Sequence, residues 1–439
     1  MPQLSRRTEA LIEKGNQSAL GNALFKTFAS QYSEDNPTGV VNAGLAENAL
    51  LQPWLKAFFE RSVDLKTTDF TYGQSLVGSH RLFAALASFY SSHIHPIIPV
   101  EASHIACGNG LSGVLDHLAS VLCDDGEAII LPTPFYNGFE EDMGDRSGVH
   151  LVDVEIQKGE HGELAEVERL EKEMERREEE GGPKVRAVLI TNPHNPLGFC
   201  YKRETLLAYC RFAEKWDVWL LADEIYATSI YKSDAVNPQP FTSILSIDVQ
   251  KEASCDPARV IQLYGASKDF GSNGLRIGVV VCQHNPSIHR GLSTTAWTMK
   301  ISSAADAMWS SLLASPSLPD YIELNQAALA EAYRFTTSWL RARSLPYRPA
   351  YAGHFVLVDL RQYLGPLEND LKDQQLKKEV ELLEELVEEG VFLGPGFSYF
   401  CAEAGFFRLT FSIRREDLEV GLGRLEAVLE RRSKKVQKA

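Results

Sequence analysis

The sequence predicts an α/β protein in which a large domain with a mostly parallel sheet is followed by a smaller α+β domain. Three observations carry this expectation. From about residue 105, short apolar runs rich in β-formers alternate with amphipathic stretches, the pattern of strands covered by helices. Most of those runs are apolar nearly throughout instead of alternating, as strands buried on both faces must be. Beyond about residue 320 the order changes to helix, strand, acidic helix, strand, helix. At 439 residues the chain has room for two or three domains. The expected division is an N-terminal arm with part of the small domain at 1–65, a large domain at 66–315 and a small C-terminal domain at 316–439.

Along the chain, Leu111, Val114, Leu115, Leu118 and Leu122 recur at helical spacing directly after Gly108-Asn109-Gly110, so a glycine-bearing turn opens a helix. Strands are expected at 127–132, 185–192, 218–224, 260–266 and 277–282. Residues 160–182 are dense in Glu and Arg, with Leu164, Val167, Leu170 and Met174 on one stripe. That is an exposed amphipathic helix ending at Gly181-Gly182-Pro183, with no chemical role. The C-terminal part reads as a helix over 323–343, a strand over 355–360, a helix over 375–389, a strand over 406–413 and a helix over 416–432.

Composition narrows the function. A net charge of −15 repels nucleic-acid phosphates and anionic membrane surfaces, so neither is an expected partner. Basic residues gather only near the end, at Arg431, Arg432, Lys434, Lys435 and Lys438, where a solvated, frayed helix end is expected. Seven cysteines at wide spacings, with no C-x-x-C pair and no His pair at ligand spacing, imply no metal site and a reduced, cytoplasmic location. The first residues carry no apolar signal-type region, and no run approaches the roughly 18 residues of a membrane span.

Four polar clusters are expected at strand ends, where an open α/β sheet places its ligand crevice. Gly108-Asn109-Gly110 offers backbone N–H groups at a helix N-terminus, suited to a phosphate or simply to a structural turn. Thr191-Asn192-Pro193-His194-Asn195-Pro196-Leu197-Gly198 leaves its strand through two X-Pro steps that can aim Asn195 over the sheet edge. In Ala222-Asp223-Glu224-Ile225-Tyr226 an acid follows an apolar strand, and a buried carboxylate needs a cation or hydrogen-bond donors. In Gly265-Ala266-Ser267-Lys268-Asp269, followed by Arg276, a lysine leaves an apolar strand, where its amine can act as a nucleophile or base.

Taken together these clusters resemble the fold type I pyridoxal phosphate (PLP) enzymes, within them the aminotransferase class I/II group that contains 1-aminocyclopropane-1-carboxylate (ACC) synthase. The resemblance spans about residues 35–415. It implies a seven-stranded, mostly parallel sheet in the large domain and PLP as cofactor. Lys268 matches the lysine that holds the cofactor and then moves the substrate α-proton. Asp223 matches the acid that pairs with the pyridine nitrogen, and Asn195 and Tyr226 match the residues that bond the ring hydroxyl. Asn109 and Gly110 fall at the phosphate loop, while Ser267 and Arg276 match further phosphate ligands. Tyr136, in Pro134-Phe135-Tyr136-Asn137-Gly138, matches the aromatic that stacks on the ring. Arg408 in Gly405-Phe406-Phe407-Arg408 matches the arginine that grips the α-carboxylate. Tyr72 in Phe70-Thr71-Tyr72-Gly73 matches a tyrosine lent by a neighbouring subunit, which implies a homodimer with shared active sites.

Gly44-Leu45-Ala46-Glu47-Asn48 resembles a segment of the ACC synthase branch in which the glutamate lies near the substrate, although Glu47 also fits an acid at a helix N-terminus. Gly265-Ala266-Ser267-Lys268-Asp269-Phe270-Gly271 and Gln283-His284-Asn285-Pro286 are similar to fungal ACC synthase-like sequences. Two departures stand out. The phosphate loop lacks a Ser or Thr directly after its glycine, and the segment 74–78 after Tyr72-Gly73 is longer than the plant pattern.

The expected activity is carbon–sulfur cleavage of an amino acid. It takes one of two forms: γ-elimination with ring closure of S-adenosylmethionine, or β-elimination of a cysteine S-conjugate to thiol, pyruvate and ammonia. An aminotransferase is the alternative enzyme. A catalytically silent binding protein on the same fold is the alternative from another class. Substrate choice is expected to depend on the loops 74–79 and 395–401.

Overall fold

The computed structural model describes residues 3–365 and 372–436. It divides into two compact units, one of Glu47–Ala330 with Ala350–Gly353, the other of the chain up to Ala46, Glu331–Pro349 and the chain from His354 on. The division thus falls at 46/47 and 330/331, against the expected 65/66 and 315/316. The helix Gln52–Ser62 packs in the larger unit, where Trp54 meets Tyr321 with ring centroids 5.1 Å apart. Leu318–Ala342 is one uninterrupted helix, with Pro319 confined to its first turn, where the missing N–H costs nothing. Its first half packs by Tyr321 on Phe270, stacked at 5.9 Å, so the residues that follow the helix break at 314–317 still belong to the larger unit.

The larger unit holds a seven-stranded mixed sheet. Its strands are β1 (Ile105–Asn109), β2 (Ala128–Thr133), β3 (His150–Glu155), β4 (Val185–Thr191), β5 (Trp219–Asp223), β6 (Val260–Gly265) and β7 (Ile277–Val281). They lie in the order β1-β7-β6-β5-β4-β2-β3. Only β7 runs against its neighbours. The segment 266–276 that links β6 to β7 is too short for the crossover that parallel strands require, so β7 must return antiparallel. Strands β2, β4, β6 and β7 are buried almost throughout, as their unbroken apolar runs predict.

Strands β1 and β3 were not among those expected. The first is Ile-Ala-Cys-Gly-Asn, poor in β-formers, and the second is an edge strand whose outer residues are polar. The helix Gly110–Leu122 buries Val114, Leu115, Leu118 and Leu122 as its periodicity predicts. The helix Leu164–Glu180 buries Val167, Leu170 and Met174, but also Glu166, which the sequence places on a solvated face. Glu166 accepts hydrogen bonds from the Tyr201 and Tyr209 hydroxyls and the Gly162 N–H.

The smaller unit has a four-stranded antiparallel sheet of β8 (Tyr347–Arg348), β9 (Phe355–Asp359), β10 (Gly394–Pro395) and β11 (Phe406–Thr410), ordered β10-β11-β9-β8. Helices Lys372–Glu389 and Arg415–Val436 pack together beside it. The basic end is solvated only in part: Arg431 and Lys434 are exposed as expected, but Arg432 is not. Arg431 bonds Glu389 at 2.6 Å, and Arg432, buried, bonds Glu385 at 2.9 Å and the Tyr363 carbonyl at 3.2 Å, so the acidic helix neutralises it. Lys438 lies outside the described residues. Among the described residues no helix is long and apolar enough to cross a membrane.

Candidate active site

Strand direction explains why the four clusters meet. Parallel strands deliver their C-terminal ends to one edge, and register pairs Thr191 of β4 with Asp223 of β5 and Asp223 with Leu263 of β6. The link from β6 to the antiparallel β7 turns at that same edge, bringing Ser267, Lys268 and Arg276 there together. The β1 end adds Gly110, and the β2 end leads to Tyr136. A cavity results, walled by Tyr136, Asn195, Asp223, Tyr226, Ser267, Lys268 and Arg276, with Leu111, Leu115, Phe139 and Ile225 as its apolar surface. Among the described lining residues Lys268 is the only lysine.

Asp223 is 3% exposed and its Oδ1 accepts the Ile225 N–H at 3.1 Å. Burial pushes its carboxyl up to about 7, opposed by that hydrogen bond and by the charge of Lys268, while Asp142 adds to the rise. A carboxylate so placed calls for a cation deep in the cavity. Arg276 takes a left-handed backbone at φ 52° and its carbonyl accepts the Gly110 N–H at 2.9 Å. The Gly110 N–H is therefore committed within the protein. Asn109, exposed and without a side-chain capping bond, is not among the cavity residues, whereas Leu111 and Ser112 at the start of the helix are.

Gly110 still matters, for a different reason. It sits at φ +73°, and a Cβ there would lie 2.2 Å from Arg276 Nη2. Gly110→Ala is expected to displace the guanidinium and weaken cofactor binding by at least about tenfold, read by titrating the unloaded protein with PLP. Equal affinity in the variant would remove Arg276 and Gly110 from the phosphate site.

Three polar lining residues were missed, Asn273 among them. Ser112 and Asp142 line the cavity, and the Ser112 side chain hydrogen-bonds Asp142. Burial pushes Asp142 up to about 7, and its Oδ2 has no hydrogen-bond partner among the described residues. The hydroxyl that the loop lacks directly after its glycine thus stands two residues further on, in the first helical turn. Its spacing was a usable signal. Asp142 had none, because it is brought in by the short helix Phe139–Gly144 packing on Gly110–Leu122.

Three further expected residues, besides Asn109 and Gly110, lie outside the cavity lining. Tyr72 is 70% exposed and packs edge-on against Trp297 at 5.4 Å. Glu47 is exposed and not among the cavity residues. Arg408 belongs to the smaller unit, 2% exposed on β11 between the rings of Phe355 and Tyr399, and its Nη2 donates to the Gly44 carbonyl at 2.6 Å. The segment that resembles the ACC synthase branch is thereby tied to the expected carboxylate clamp. Of the two loops on which substrate choice is expected to depend, 395–401 is held by Glu379, which accepts the Phe397 and Gly405 N–H groups at 2.9 and 2.7 Å.

The cavity fits PLP by its chemistry. A buried acid awaits a ring cation, an arginine and a helix N-terminus await an anion, and a lysine stands on the same wall.

Comparisons agree. The family model described as "Aminotransferase class I and II" matches residues 41–425. A probable aminotransferase, aclI, of Aspergillus oryzae is 33% identical over 394 residues, covering 89% of this chain and 90% of that one. ACC synthase 2 of Cucurbita pepo is 29% identical, covering 99% of this chain and 88% of its own. Aspartate aminotransferase from Thermus thermophilus shares the fold with a TM-score of 0.73 at 20% identity, covering 98% of this chain and all of that one. With an α/β fold, a cavity of this composition and a family match over most of its length, the chain belongs to the aminotransferase class I and II family of PLP-dependent enzymes.

Proposed function

We propose that this protein is a PLP-dependent carbon–sulfur lyase of the ACC synthase-like type, acting on an amino acid. The observation that carries the first half of this reading is the cavity that joins Lys268 to Asp223, with Asn195 and Tyr226 on the same wall. PLP, when bound, supplies an electron sink for the carbanion left after α-proton removal. Asp223 would keep the ring nitrogen charged, and Asn195 and Tyr226 would hold the ring hydroxyl. Tyr136 would stack on the ring, while Ser267, Arg276 and the helix N-terminus would hold the phosphate. Lys268 Nζ takes the α-proton. The sulfur then leaves, from Cγ of S-adenosylmethionine with ring closure or from Cβ of a cysteine S-conjugate.

The carbon–sulfur step is supported by relatives named ACC synthase across nearly the whole chain and by the Gly44–Asn48 wording. Relatives named as probable aminotransferases favour the second reading, in which the carbanion is reprotonated on the cofactor. Product analysis by mass spectrometry, with S-adenosylmethionine and with a cysteine S-conjugate, separates them. ACC with methylthioadenosine, or thiol with pyruvate, establishes the lyase. Conversion to the pyridoxamine form without a released sulfur product establishes the transferase.

Arg408 and Tyr72 belong to the same proposal. Arg408 is the substrate carboxylate clamp, and Arg408→Lys, which loses the planar two-pronged donor, is expected to weaken amino acid binding by about 2 kcal/mol or more. Unaltered affinity in a spectroscopic titration would take Arg408 out of the site. The exposed Tyr72 and Trp297 pair supports a homodimer in which Tyr72 serves the neighbouring subunit's cavity.

A further inference from the structure

Beside Lys268 stands a carboxylate that the chemistry above leaves unused. Asp269 is 1% exposed and is not among the cavity residues. Its Oδ2 accepts the Thr228 N–H at 2.9 Å and the Tyr264 hydroxyl at 2.7 Å, and its Oδ1 accepts the Ser229 hydroxyl at 2.6 Å. Its carbonyl accepts from the Tyr321 hydroxyl and the Asn325 amide, both at 3.4 Å. Asn325 in turn accepts from Asn48 Nδ2 at 2.8 Å. Two residues on, Gly271 at φ +54° lets the turn pass so close to Asn48 that a Cβ would lie 2.5 Å from its carbonyl oxygen.

One buried residue therefore bonds Thr228 and Ser229, Tyr264, and the helix of Tyr321 and Asn325, which in turn holds Asn48. Thr228 and Ser229 close the turn that begins at Tyr226, whose carbonyl accepts the Ser229 N–H at 2.9 Å. Tyr264 lies in the last turn of strand before Ser267-Lys268, and the Gly271 N–H bonds the Lys268 carbonyl at 3.0 Å. Asn48 follows Glu47. A salt bridge or a hydrogen bond on the surface could not do this, because water would compete for each donor.

We propose that Asp269 is a positioning residue, fixing Lys268 relative to Tyr226 by clamping the turn that carries one to the turn that carries the other. The inference rests on the roles proposed above for Lys268 and Tyr226. It makes Asp269 act through geometry: its carboxylate is bonded to Thr228, Ser229 and Tyr264, and Asp269 is not among the cavity residues.

A purely structural acid is available for comparison. Glu166, like Asp269, is a buried acid that accepts from one backbone N–H and two hydroxyls, but its partners Gly162, Tyr201 and Tyr209 are all absent from the cavity lining. The experiment compares Asp269→Ala, Asp269→Asn and Glu166→Ala in the PLP-loaded protein. Its readouts are the pH midpoint of the visible absorbance band and the PLP affinity of the unloaded chain, with Lys268→Ala as the blank. Asparagine can keep the Thr228 and Tyr264 donors on its oxygen and donate its amide to the Ser229 hydroxyl, so it should rescue.

The expected result is a midpoint displaced by about half a pH unit or more and PLP affinity reduced about tenfold in Asp269→Ala, with values near the parent in Asp269→Asn. Glu166→Ala should lose thermal stability while keeping the parent midpoint. A parent-like midpoint in Asp269→Ala, or an equal displacement in Glu166→Ala, overturns the proposal. Should Asp269→Ala not fold, Ser229→Ala removes a single donor and must displace the midpoint; if it does not, the proposal also fails. A band that survives in Lys268→Ala would instead sink the reading of Lys268 itself.

Discussion

Lys268→Ala is expected to lose the visible band that marks covalent attachment of PLP and to lower α-proton exchange by at least about a thousandfold. The reason is positional as well as chemical. Lys268 leaves β6 at the C-terminal edge of the sheet, half-buried, on the wall that also holds Asp223 and Arg276. Among the described residues of the cavity no second lysine stands ready to replace it. The proposed phosphate ligands Ser267 and Arg276 are untouched by the substitution, so the variant should still bind PLP, reversibly and with an altered spectrum. Absorbance spectroscopy and exchange of the substrate α-hydrogen followed by NMR check both halves. An unchanged band would end the assignment of Lys268 as the attachment site.

Asp223→Ala should leave the attachment intact and still cost about a hundredfold or more in α-proton exchange. Without the acid the ring nitrogen loses its proton, and the electron sink that stabilises the carbanion weakens. Near-parental exchange would refute this role. A second consequence concerns the unloaded protein. Burial raises the Asp223 carboxyl from its ordinary value to about 7, so the folded chain holds a proton that the unfolded chain has released. Stability linked to Asp223 is therefore full below about pH 4 and falls as pH rises through about 7. Alanine removes that slope: relative to the parent, Asp223→Ala should gain stability between about pH 4 and 7, read by denaturant unfolding of the unloaded chains.

Much of the cavity was legible because the physics that buries a parallel strand also exposes its ends. A strand covered on both faces must be apolar, so a polar cluster such as Ala222-Asp223-Glu224 after Trp219–Ala222 marks where the cover stops. Asn195, Asp223, Tyr226, Ser267, Lys268 and Arg276 could all be placed in this way, and the structure gathers all six. Edge strand β3 and the polar end of β1 escaped, since neither has the unbroken apolar run that served as the signal.

The amino-acid sequence by itself determined the fold class, the strand ends and the reactive residue types, because those follow from local hydrophobicity and from which side chains stand at the breaks. Only the tertiary structure decided how polar groups distant in sequence satisfy one another. It commits the Gly110 N–H to Arg276, pairs Ser112 with Asp142, pairs the basic C-terminal arginines with an acidic helix, and buries Glu166 and Asp269 among tyrosines. Each of these depends on donors supplied from another segment. A carboxylate is stable in the interior only once such donors surround it, and periodicity along one segment carries no record of them.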